Sequence, residues 1–244
     1  NGGHVWLGGS NTNSGSYTWN GLEVGDGPSI GTTNFNSNAM DIYGNITTNG
    51  GDFLAWAGSS TASGGIDGIA SDGSGDIVSV GSGNIVLITD MVYGSTGAAM
   101  YFTQSGGTFT LVPNEGSFNA AFNWNPVVQT YIGSTADDYN LQGANFDWLG
   151  IGELNSISKL TIGYYNGMLN NGTPVQFTNS SDITFNTATT AAGAVELYGG
   201  TLALNANLNT TNTSTGNILL QGTSITGTGN IGLAAGRTAT INVS

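Results

Sequence analysis

The sequence predicts an all-β fold of strands stacked one upon another, and three observations predict it. A phrase of Gly, a small polar residue and alternating apolar positions keeps returning: Gly51-Asp52-Phe53-Leu54-Ala55-Trp56, Gly75-Asp76-Ile77-Val78-Ser79-Val80, Gly83-Asn84-Ile85-Val86-Leu87-Ile88, Gly107-Thr108-Phe109-Thr110-Leu111-Val112, Gly216-Asn217-Ile218-Leu219-Leu220 and Gly229-Asn230-Ile231-Gly232-Leu233-Ala234. No stretch of about 11 residues carries the 3.6-residue apolar period of a helix free of Gly and β-branched residues. Glycine reaches 41 of 244 residues while charged residues fall to 7%, against roughly 25% in ordinary globular chains. A recurring phrase with turn punctuation describes units that bury their apolar face only against their neighbours. That architecture suits a scaffold or surface protein better than an enzyme.

Taken in order, the first stretch, residues 1–112, holds strand runs at His4–Leu7, Gly21–Val24, Ala39–Ile46 and Phe53–Trp56. It continues through Ile77–Val80, Ile85–Ile88, Ala99–Phe102 and Phe109–Val112. Residues 113–158 break the rhythm: Phe118, Phe122, Trp124, Tyr131, Tyr139, Phe146 and Trp148 crowd there with Pro113, Pro126 and Asp137-Asp138. This span reads as an excursion from the stack or a junction between two stretches of it. In residues 159–244 the rhythm resumes with Lys159–Gly163, Ser181–Phe185, Ala194–Tyr198, Thr201–Leu204 and the last two phrases. Met40-Asp41-Ile42-Tyr43-Gly44-Asn45-Ile46 echoes Val195-Glu196-Leu197-Tyr198-Gly199-Gly200-Thr201-Leu202. A strand, a glycine and a second strand is what a corner between two faces requires, because a Cβ would obstruct the bend.

Phrase starts lie 24 residues apart from Gly51 to Gly75 and from Gly83 to Gly107, but 8 from Gly75 to Gly83 and 13 from Gly216 to Gly229. Units of variable length follow. At ~20–24 residues each and ~4.8 Å between strands, about ten units would make a rod on the order of 50 Å long.

Two basic residues, Lys159 and Arg237, face fifteen acidic ones, a formal charge of −13. Nucleic acid is a poor partner, since affinity for it rests on clustered Lys and Arg, and an anionic membrane surface is disfavoured alike. The carboxylates are scattered, whereas a hard cation needs several oxygens on one point; no metal site and no cofactor are expected. Cysteine is absent, which removes disulfides and thiolate zinc sites. No apolar run approaches the ~20 residues that span a bilayer, so membrane insertion is not expected, and none of these residues reads as a signal peptide. A surface of Asn, Thr, Ser and Gly with few tryptic sites suits work outside the cell. The chain opens in a strand-like run and stops at Thr238–Ser244 with alternation continuing, without the polar caps of terminal repeats. It reads as a segment of a longer polypeptide.

Ser181-Asp182-Ile183-Thr184, Glu196–Ala206 and Gly216–Leu220, with the opening Gly2–Gly9 and Trp19–Gly25, resemble the β-strand-repeat regions of giant bacterial surface adhesins. That family includes filamentous-haemagglutinin-like exoproteins and the large repetitive adhesins of gliding and biofilm-forming Bacteroidota. The resemblance covers most of the chain outside the aromatic middle. It implies a right-handed parallel β-helix, one module of an extracellular fibre beside neighbouring modules of the same polypeptide, used for adhesion or surface movement. It transfers no catalytic motif.

Parallel β-helices also include polysaccharide hydrolases and lyases, so the carboxylates are weighed as catalysts. Asp137-Asp138 with Asp147 or Glu153 is the one local cluster, and adjacent strand residues point to opposite faces. Hydrolysis needs two carboxylates flanking one bond, and a single His with two remote cations leaves little for a lyase. The enzyme therefore stands as the alternative. His4 reads as an ordinary strand residue. The glycine pairs open no helix, so they cradle no phosphate. Threonines recur at no common offset, which removes a flat ice-binding ladder. Sequons at Asn45, Asn179, Asn209, Asn212 and Asn242 arise readily in so Asn-, Ser- and Thr-rich a chain. Trp6 and Trp56 lie in apolar alternation and read as core. The site assigned to ligand binding is Trp124, Tyr131, Tyr139 and Trp148 in the irregular middle, where aromatic rings would meet a glycan, a host surface or a substratum.

Overall fold

The computed structural model describes residues 2–9, 17–24, 38–42, 44–57, 66–71, 77–89, 91–94, 101–114, 116–118, 122–124, 145–146 and 156–244. Its strands run as β1 (Val5–Gly9), β2 (Tyr17–Trp19), β3 (Leu22–Val24), β4 (Asn38–Ile42), β5 (Ile46–Thr47), β6 (Phe53–Ala57), β7 (Ile66–Ser71), β8 (Ile77–Gly81) and β9 (Ile85–Ile88). Next come β10 (Met91–Gly94), β11 (Tyr101–Gln104), β12 (Thr108–Val112), β13 (Phe122–Trp124), β14 (Asn145–Phe146), β15 (Lys159–Ile162), β16 (Tyr164–Asn170) and β17 (Thr173–Thr178). The remainder are β18 (Ile183–Phe185), β19 (Thr189–Ala191), β20 (Ala194–Tyr198), β21 (Thr201–Leu204), β22 (Leu208–Thr210), β23 (Ile218–Gly222), β24 (Ser224–Thr226), β25 (Ile231–Gly232) and β26 (Ala239–Val243). The protein is all-β, with no helix among the described residues.

One eight-stranded sheet, ordered β1-β6-β9-β12-β15-β20-β23-β26, runs through the molecule. Beside it lie a five-stranded sheet, β14-β13-β18-β21-β24, and three three-stranded sheets, β10-β7-β4, β11-β8-β5 and β19-β22-β25. These pair in parallel throughout, and none closes into a barrel. A four-stranded sheet, β17-β16-β2-β3, is antiparallel.

Register in the long sheet explains the recurring phrase. Phe53 pairs with Val5 and Ile85, Phe109 with Ile85 and Leu160, Val195 with Leu160 and Ile218, and Ala239 with Ile218. From β6 to β23 the side chains at these positions and two residues on form the main core: Phe53, Ala55, Ile85, Leu87, Phe109, Leu111, Leu160, Ile162, Val195, Leu197, Ile218 and Leu220 are all buried, whereas β26 is exposed. Successive strands return to the sheet after 48, 32, 24 and 51 residues at the start and after 21 at the end. The chain between returns is therefore uneven in length.

The phrase's glycine is required by close approach. A Cβ on Gly51 would stand 2.2 Å from the Gly3 carbonyl oxygen, one on Gly83 2.1 Å from that of Gly51, and one on Gly107 2.2 Å from that of Gly83. Its polar residue closes the ladder where a strand begins. Asp52 Oδ1 accepts from the Asn84 backbone N–H at 2.7 Å, and Asn84 Oδ1 accepts from that of Thr108 at 2.8 Å. Asn217 Oδ1 does the same for Thr238 at 3.1 Å, and in other sheets Asp182 Oδ1 serves Thr201 at 2.6 Å and Asn207 Oδ1 serves Asn230 at 2.9 Å. Each such bond contributes about 0.5–1.5 kcal/mol.

The phrase does not mark a single place in the fold. The copies at Gly51, Gly83, Gly107 and Gly216 lead into the long sheet, but the copy at Gly75 leads into β8 and that at Gly229 into β25, which belong to other sheets. Any strand start that needs a side-chain acceptor before an alternating run selects the same residues. The 8-residue interval from Gly75 to Gly83 therefore separates neighbouring faces, not repeats. The echo behaves likewise: β4 to β5 and β20 to β21 both change sheet across a glycine, yet β4 and β20 lie in different sheets.

The antiparallel sheet departs from the expected run of stacked strands. Asn20-Gly21, at φ 47° and 77°, turns β2 into β3, and Asn171-Gly172, at φ 48° and 76°, turns β16 into β17. Two-residue Asn-Gly loops with both φ positive match the twist of a hairpin. The hairpins join through Leu169 opposite Thr18 and Asn170 opposite Tyr17. They lie on the outward face of the long sheet, and a second core forms between: Tyr17, Trp19, Met168 and Phe177 pack against Leu54, Trp56, Val86, Ile88 and Val112. Hence β6 is buried on both faces along its whole length. Trp56 is core as expected, at 1% exposure, but in this outer layer; Trp6 is half-buried against the same layer.

Candidate functional site

Beyond the hairpins' cover, the outward face of the long sheet turns polar. Alternation sends Phe109, Leu111, Leu160 and Ile162 inward and leaves Thr108, Thr110, Lys159 and Thr161 outward, with Asn84 before them and Glu196 and Tyr198 after. The first residues of β16 and the β2–β3 turn stand over this floor and supply Tyr164, Tyr165, Asn166, Trp19 and Asn20 as a wall. The result is a cleft of about 330 Å³.

Gly163 builds the wall. Its φ of +90° redirects the chain out of β15 into β16, and a Cβ there would stand 2.0 Å from the Tyr198 carbonyl oxygen. The turn sets the Tyr164 ring against that of Tyr198, centroids 5.1 Å apart and tilted by 34°. Tyr165 lies over Phe177 at 6.3 Å, with Phe177 edge-on to Trp56 at 5.4 Å.

The charged groups occupy opposite ends of the cleft. Lys159 Nζ lies 3.3 Å from Glu196 Oε2, with the Tyr198 hydroxyl 3.5 Å from the same oxygen. Both partners are partly exposed, so the pair contributes under about 1 kcal/mol. Asp52 accepts from Asn20 Nδ2, the Asn84 N–H and Asn84 Nδ2, while its own N–H donates to His4 Nδ1 at 3.0 Å. His4 is thus a structural acceptor just before β1. Four strand steps separate β6 from β20, which puts Asp52 about 19 Å from Glu196 at ~4.8 Å per step. Paired carboxylates of a glycosidase stand about 5–9.5 Å apart. Among the described residues no three of His, Cys, Asp and Glu gather as metal ligands, and no helix is long and apolar enough to cross a membrane.

Burial pushes the Tyr165 phenol up to about 12, the Asp52 charge adding to the rise and a hydrogen bond from Trp19 opposing it. Burial also takes Tyr198 to about 12, with the Glu196 carboxylate adding its charge. Both phenols remain donors through neutral and alkaline pH. An unfolded tyrosine ionises near 10, so the folded state holds these protons more tightly. Their stabilisation is complete below pH 10 and is lost as pH rises to 12. Denaturant titrations across that interval should show falling stability, with a shallower fall in Tyr165→Phe; equal slopes in the two proteins would refute the assignment.

Of the residues the sequence assigned to ligand binding, Tyr131, Tyr139 and Trp148 lie outside the described residues, as do Asp137, Asp138, Asp147 and Glu153. Trp124 ends β13, its backbone in parallel register with Phe146 and Phe185, and its side chain is outside the description. The cleft residues were missed. Asn20-Gly21 and Asn171-Gly172, each between alternating runs, were the signals that could have revealed the hairpins.

No family model, curated protein or solved structure matches the chain.

Proposed function

We propose that this chain is a right-handed parallel β-helix serving as a structural and adhesive module of a large extracellular bacterial surface protein or fibre. The observation that carries the reading is the long sheet, in which eight strands return in parallel to one face at uneven intervals. Residues 1–112 and 159–244 would then form one stack, since β12 pairs directly with β15, and from within 113–158 the strands β13 and β14 join that stack's five-stranded sheet through β18. Ladders of this kind give stiffness along the stack. Neighbouring modules of the same polypeptide would extend it, and a host surface, substratum or glycan would meet its sides. The resemblance to β-strand-repeat adhesins and the scarcity of charge agree with a cell-surface location.

The alternative is a polysaccharide hydrolase or lyase on the same scaffold, and the separation of Asp52 from Glu196 weighs against hydrolysis by the carboxylates of this cleft. Incubating the protein with beads coated in cellulose, chitin, mannan, starch or pectin, and with whole bacterial cells, decides between them. Retention on at least one surface, with no release of reducing ends or unsaturated sugars, is the expected result. Release of either product, or retention on none, would overturn the module reading.

A further inference from the structure

We propose that the cleft between the β16 wall and the threonine floor binds a neutral saccharide of one or two pyranose rings. The proposal deepens the adhesive reading and rests on it. At about 330 Å³ the cleft is at the small end of ligand sites, which span about 300–1,000 Å³.

Its floor contains a group that asks for a ligand. Thr161 is 4% exposed and its Oγ1 is buried without a hydrogen-bond partner, a costly state for a hydroxyl. Thr161 lines the cleft, as does Thr110 on the neighbouring strand. A sugar hydroxyl, which donates and accepts at once, completes it when the side chains that cover the atom in the empty cleft move aside. The Tyr164–Tyr198 pair supplies aromatic surface beside that hydroxyl, and the Tyr198 phenol keeps its proton at any physiological pH.

Charge selects a neutral ligand. Lys159 and Glu196 neutralise one another, and Asp52 is already held by Asn20 and Asn84. An ionised ligand would find no unpaired counter-charge, and a chain of formal charge −13 repels acidic sugars. Peptide is disfavoured because strand addition needs a free sheet edge. The floor strands β9, β12 and β15 are each paired on both sides.

Calorimetric titration of the whole chain with tetrasaccharides of glucose, N-acetylglucosamine, mannose and galactose tests the site, with tetragalacturonate and a neutral tetrapeptide as comparison probes. At least one neutral tetrasaccharide should bind. Thr161→Val, which keeps shape and removes the orphan hydroxyl, should weaken binding about tenfold or more without lowering the melting temperature. Tyr198→Ala should weaken it comparably. Absence of binding by every neutral probe, unchanged affinity in both variants, or tighter binding of tetragalacturonate or the peptide would overturn the proposal. Bead or cell retention that persists undiminished in Thr161→Val overturns the cleft site alone. Loss of retention by the unaltered protein removes the adhesive reading itself.

Discussion

Gly163→Ala should cost about 3–5 kcal/mol and lower the melting temperature by about 10 °C. Two penalties combine at this residue. Its φ of +90° costs an L-residue about 1–2 kcal/mol, and the added Cβ would stand 2.0 Å from the Tyr198 carbonyl oxygen and 3.0 Å from Asn179 Cβ. Neither neighbour yields easily. Tyr198 pairs with Gln221 in the long sheet, and Asn179 Nδ2 donates to the Tyr198 and Ser181 carbonyls at 3.1 Å each. Gly172→Ala separates the terms, since its φ is +76° and nothing lies within 4 Å of its would-be Cβ. That variant should lose only about 1–2 kcal/mol. Equal losses in the two would show that contact with Tyr198 contributes nothing. Because Gly163 launches β16, its substitution should also disturb the Tyr164–Tyr198 ring pair and weaken whatever the cleft binds.

The strands were legible where alternation is strong. Phe109–Val112 and Ile85–Ile88 read as strands and are strands, because an inward apolar set on a pleated backbone leaves a period of two. Which strands share a sheet was not legible. The Gly75 and Gly83 phrases look alike, yet Ile77–Gly81 joins a three-stranded sheet and Ile85–Ile88 the long one, because local sequence carries no label for the face it serves. The cleft was harder still. Trp19, Asn84, Thr161, Tyr164 and Tyr198 come from distant parts of the chain, and the pairing of β2 with β16, of β9 and β15 with β12, and of β15 with β20 assembles them. Nothing in the run Lys159–Gly163 marks Tyr164-Tyr165 as a wall, since only the +90° turn at Gly163 separates floor from wall. Crowding of aromatics drew attention to Trp124 and Trp148, whereas the described aromatic wall is built from pairs the sequence disperses.

Trp56→Ala should be the most damaging side-chain truncation in the outer layer, at about 3–5 kcal/mol. Trp56 is 1% exposed, with the Tyr17 ring edge-on at 5.1 Å and Phe177 edge-on at 5.4 Å. Its Nε1 donates to Asn114 Oδ1 at 2.6 Å. Truncation removes the ring both hairpins rest on and leaves a void too enclosed by the paired strands β6 and β9 to collapse. Trp56→Phe keeps most of the ring contact and loses the indole donor, so it should cost about 1–2 kcal/mol. The location of the damage is the sharper reading. Thr18 on β2 and Leu169 on β16 hold the two hairpins together, and their contact with the long sheet runs through the layer that contains Trp56. Inward residues such as Leu160 and Val195 belong to the other core. Hydrogen exchange in Trp56→Ala should therefore accelerate at the β2 and β16 amides before those of β20 and β23. Uniform acceleration through both layers would mean that the antiparallel sheet and the long sheet unfold as one unit, with Trp56 no more than another core residue.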